Sequence, residues 1–133
     1  DSANAGFSLA DPWLPLNNDW RERNVAAQAR DANSLLSLYR SLLSLRRTHA
    51  ALAIGRCVLM DAAEDVLAFE RQYGDERMLI ALNLGDQLRP LPKEACEFDA
   101  LVSTLCPSSI GLRLFEGALA PHEGLILRLK GEH

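Results

Sequence analysis

Apolar residues recur along this chain with two different periods. Over 32–49 the spacing is helical: Leu35, Leu38, Tyr39, Leu42 and Leu45 fall on one face, with Leu36 and Leu43 widening the stripe. Ser37, Arg40, Ser41, Ser44 and Arg47 fall on the other side. Asp31 or Asn33 is placed to cap the start, and Arg46, Arg47 and His49 complement the dipole at the end. From Gly55 onward the period drops to two, and strands are expected over 56–60, 65–72, 77–84, 88–91, 100–105, 112–115 and 124–130. A tight hairpin is expected at 73–76 and a turn at 83–87. Short strands broken by regular turns predict an antiparallel β-sandwich of about seven or eight strands. Leu67, Phe69, Ile80, Leu82, Leu125, Leu127 and Leu129 are its core candidates. Residues 1–31 show little periodicity. Pro12 and Pro15 remove backbone donors there, so the segment reads as extended and laid over a surface.

Composition narrows the function. The 133 residues are 48% hydrophobic and 24% charged, which is globular. A net charge of −4 argues against a nucleic-acid partner and against an anionic membrane surface. No apolar run reaches the roughly 18 residues that a membrane span needs. Cys57, Cys96 and Cys106 are sparse and unpatterned, which argues against a disulfide scaffold or a zinc site and favours a reducing cytoplasm. Cys57 and Cys106 lie in or beside expected strands and read as small buried apolar groups rather than reactive thiols.

Candidate chemistry is thin. His49, His122 and His133 have no metal-ligand spacing, and there is neither a phosphate loop nor a nucleophile elbow. Glu64-Asp65 and Asp75-Glu76 fall at expected turns, where carboxylates are solvated, and nothing indicates a buried catalytic pair. Trp13 and Trp20, with Asn17, Asn18 and Asp19 between them, could stack on a sugar ring. The competing reading is that each Trp anchors its segment to a neighbouring surface.

Several ordered phrases carry more information. Asn4-Ala5-Gly6-Phe7-Ser8 is followed by Pro12-Trp13-Leu14-Pro15-Leu16-Asn17, and then by Asn24, Val25 and Gln28. A helix phrase comes next, with Ser34, Leu36, Tyr39, Arg40, Leu42, Leu43, Leu45 and Arg46. Together these resemble, over about residues 3–52, the α-glucosidase and oligo-1,6-glucosidase branch of the α-amylase superfamily of glycoside hydrolases. Ala68-Phe69-Glu70-Arg71, Leu82-Asn83-Leu84 and the closing set Leu119, Pro121, Glu123, Ile126, Leu127, Leu129 resemble its C-terminal domain less specifically. Ala50 departs from the family, which often has proline there.

The resemblance implies a division into 1–52, the tail of a (β/α)8 catalytic barrel, and 53–133, an antiparallel Greek-key β-sandwich. The barrel tail would comprise an extended loop, 1–31, and the last helix, 32–49. It implies retaining chemistry by a carboxylate pair, borne on phrases that precede Asn4 in family members. No catalytic residue therefore carries over to this sequence, and no organic cofactor or metal site does either. The implied partner is the rest of the same barrel, and α-glucosides would be met only through that parent enzyme. A free-standing carbohydrate-binding or interaction module using Trp13 and Trp20 is the alternative. Without a barrel to cover them, Leu35, Leu38, Tyr39 and Leu42 are expected to drive self-association.

Overall fold

The computed structural model describes residues 2–93, 95, 98–105 and 117–129. The expected strand 112–115, Cys96, Cys106 and His133 lie outside those residues. The chain begins with a single 3-10 turn, Ala3–Gly6, followed by irregular backbone to Asn24. Three helices follow: α1 (Val25–Arg30), α2 (Leu35–Thr48) and α3 (Ala50–Ile54). Seven strands come after them among the described residues: β1 (Arg56–Leu59), β2 (Val66–Tyr73), β3 (Glu76–Asn83), β4 (Arg89–Pro90), β5 (Phe98–Ser103), β6 (Ala118–Leu119) and β7 (Gly124–Leu129).

The strands form an antiparallel five-stranded sheet of order β1-β2-β3-β7-β5 and a two-stranded ladder, β4-β6. The mainly antiparallel β architecture expected from the period-two segments is what the chain adopts. Strand β3 explains why its centre reads Met78-Leu79-Ile80-Ala81 with no polar residue. Leu79 and Ala81 face one side, opposite Leu127 and Leu125, and pack with Leu91, Ala95 and Leu119 from the smaller ladder and the segments beside it. Met78 and Ile80 face the other side, where Ala51 of α3 is buried against them. A strand covered on both faces cannot alternate in polarity. The β2–β3 connection is a two-residue turn, Gly74-Asp75, closed by the Tyr73–Glu76 pair. Gly74 takes φ +57°, a region that favours glycine.

Several expectations are corrected. Leu67 is 40% exposed and lies outside the core, because the face it shares with Phe69 and Ile80 is covered by α3 only towards the hairpin end. Phe69, Leu82 and Leu129 are half-buried at the margins of the two clusters. Cys57 is exposed, because it sits on the edge strand β1, whose four residues all face solvent. The segment 1–31 is not extended throughout: α1 forms within it, capped by Asn24, whose Oδ1 accepts from the Ala27 amide. Helix α2 is shorter than expected, because neither Asp31 nor Asn33 caps it. Ser34 does, accepting from the Ser37 amide, and His49, with φ −116°, ends it. The Asp31 carboxylate instead accepts from the Asn33 amide in a local turn.

Candidate functional site

The two tryptophans differ in exposure. Trp13 is 91% exposed. Trp20 is half-buried, and the Arg21 guanidinium lies over its ring, 4.8 Å from the centroid. The polar residues between them are engaged locally. Asn17 Oδ1 accepts from the Asn18 amide, and the Asp19 carboxylate pairs with Arg23 at 3.3 Å. A concavity elsewhere in the segment is lined by residues within Ser2–Leu9, none of them titratable.

Helix α2 splits the four residues expected to self-associate. Leu38 and Leu42, with Ser41 and Leu45, are half-buried. Leu35, Tyr39 and Leu43, spaced four apart, form an exposed apolar row at 64%, 58% and 52% exposure. No residue of α2 is buried. Phe7, Leu9, Trp13, Leu14 and Val25 add further uncovered apolar surface from the preceding segment.

Two carboxylates are held by the fold: Glu76, expected as a solvated turn charge, and Glu123. Glu76, at the start of β3, places Oε1 2.6 Å from His49 Nδ1 and accepts the Ala51 amide on Oε2 at 2.8 Å. The Ala51 amide is the main influence holding its carboxyl below the ordinary value. Partial burial opposes the shift, while His49 and, at longer range, Arg128 add to it. Glu123 is 1% exposed. Its Oε1 accepts from Ser103 Oγ at 2.7 Å and its Oε2 from the Ala120 amide at 2.9 Å. Beside it Asn83, 2% exposed, donates to the carbonyls of Gln87 and Ala120, and its Oδ1 accepts from the Gly85 amide. The Asn83 amide in turn donates to the Glu123 carbonyl. This network ties the end of β3 to the turn before β7 and to β5. The side-chain oxygens of Glu123 and Asn83 accept from backbone amides and from the Ser103 hydroxyl, as buried polar groups require. Among the described residues no group of three or more His, Cys, Asp or Glu side chains is placed to hold a metal ion.

Residues 1–55 match the family described as alpha amylase, catalytic domain. The glucan 1,6-alpha-glucosidase of Streptococcus pneumoniae is 29% identical over 97% of this chain. A probable alpha-glucosidase of Rhizobium meliloti is 35% identical over 69% of it. The crystal structure of the trehalulose synthase MutB from Pseudomonas mesoacidophila superposes with a TM-score of 0.77 over 98% of the chain, at 31% identity. The chain belongs to the α-amylase family. It spans between about a sixth and a quarter of the length of these relatives: 24% of the Streptococcus enzyme, 17% of the Rhizobium one and 24% of the synthase. It represents the C-terminal portion of an α-glucosidase-like chain.

Within this α-amylase-family chain the motif residues have local physical tasks. Asn24 caps α1, and its amide group also donates to the carbonyls of Trp20 and Arg21. Gln28 acts twice on the next helix: its carbonyl accepts from Ser34 Oγ at 2.7 Å, and its Oε1 accepts from the Leu36 amide at 3.1 Å. The phrase from Asn24 to Ser34 therefore sets the α1–α2 corner by satisfying amides that a helix start leaves free. Among the described residues no helix is long and apolar enough to cross a membrane.

Proposed function

We propose that this chain is the non-catalytic end of an enzyme that hydrolyses or transfers α-glucosyl units of small oligosaccharides, and that its task there is structural. On this reading residues 1–52 are the tail of the catalytic barrel and 53–133 the appended β-sandwich. The carboxylate pair of a retaining glycosidase is borne by the rest of the parent, and α-glucosides are met there. The names of the relatives support the reaction class. The observation that carries the structural role is the uncovered apolar row Leu35, Tyr39, Leu43. An exposed strip of this kind calls for a covering surface, and Trp13 and Val25 are exposed as well. The remainder of a barrel supplies one.

Deprived of that cover, the chain is expected to associate with itself through the same row. Light scattering over a dilution series tests this. The chain should run as a dimer or larger species, Leu35→Asp combined with Tyr39→Asp should shift it to monomer, and Ser44→Asp, on the opposite side of α2, should not. A chain that stays monomeric at the highest concentration argues against a surface in need of cover.

A further inference from the structure

We propose that α3 is a rigid joint between α2 and the sheet, held shut by the Glu76 carboxylate reaching from the β2–β3 hairpin onto the corner at His49. Helix α3 has five residues, too few to persist without outside support. The residue before it, His49, ends α2 and begins α3, and its side chain does not cap the new helix. The free amide of Ala51 is capped instead by Glu76, which is 25 positions away in sequence. The other oxygen of the same carboxylate holds the His49 imidazole. One side chain thus grips both the residue at the corner and the first turn beyond it.

Two further attachments tie α3 to the same hairpin. Ala51, 0% exposed, packs on Met78 and Ile80. At the far end Gly55 comes so close to β2 that an added Cβ would lie 2.8 Å from the Gln72 carbonyl oxygen and 2.4 Å from that of Ala51. Cap, buried methyl and close backbone approach fix α3 at its start, its side and its end. The main neighbours of α2 are α1 and α3, so its direction relative to the sheet is set at this corner. Resting on the reading that α2 belongs to the barrel and the sheet to the appended sandwich, the joint fixes how one part sits on the other.

Amide hydrogen exchange on the whole chain tests the latch. In Glu76→Ala the amides of Leu52, Ala53 and Gly55 should exchange at least about tenfold faster, while those of Leu79, Ile80 and Leu127 stay within about twofold of the parent. Glu76→Gln keeps an acceptor for the Ala51 amide and should fall between the two. His49→Phe should loosen α3 less than Glu76→Ala, because the cap survives. Unchanged α3 amides in Glu76→Ala would overturn the proposal, and so would an equal acceleration throughout the sheet. These readouts do not depend on what covers the Leu35 row, so failure here leaves the dilution experiment standing, and the reverse also holds.

Discussion

Leu127 and Leu67 both lie on strands of the same sheet, yet only one of them has the sheet's cover above it. Leu127 is 1% exposed, opposite Leu79 and within the cluster closed by Leu91 and Leu119, whereas Leu67 stands 40% exposed beyond the reach of α3. Truncating Leu127 to Ala should therefore cost about 2–5 kcal/mol in urea unfolding, against less than about 1 kcal/mol for Leu67→Ala. Equal losses would mean that the two faces are not covered as described. Alternation placed both leucines on strands, but it cannot say how far along a face the covering layer extends. The same limit applies to the acids. Glu123 stood out only as a member of the closing phrase from Leu119 to Leu129, and only the fold brings Ser103 to it. Asn83 was legible as the end of a strand but not as the hub of the β3–β7 turn network, because its partners lie 4, 36 and 37 residues away.

Among the elements, α2 was legible because its whole length follows one period, while α1 and α3 were not. Six and five residues are too few for a period to declare itself, and both helices exist through caps: Asn24 for α1 and the distant Glu76 for α3. The Glu76 contact also gives α3 a pH dependence whose sign follows from the direction of the shift. A carboxyl held below its ordinary value of 4.5 contributes stability that is present above that value and lost as pH falls through the folded one. The melting temperature of the parent should therefore exceed that of Glu76→Gln at about pH 5, and the margin should shrink as the solution becomes more acid than that. A margin as large at pH 3 as at pH 5, followed by circular dichroism, would show that the charge of Glu76 is not what α3 uses.

For the whole molecule, the phrases around Asn4, Trp13, Asn24 and Ser34 place the chain in the α-amylase family, and the superposition on the trehalulose synthase extends over nearly all of it. The β half was readable as an antiparallel unit from its turn spacing. Its smaller ladder was not, since β4 and β6 are two residues each and carry no alternation. The molecule presents outward an uncovered apolar row on α2, while the Glu123 and Asn83 network is buried; both suit the proposed role of supporting another part of an enzyme. The most direct test of that account is turnover of a chromogenic α-glucoside by the highly purified chain, run beside a longer polypeptide that contains it. The account predicts none from the chain alone at any concentration, and hydrolysis by the longer polypeptide. Turnover that follows the concentration of the isolated chain through every purification step would contradict it.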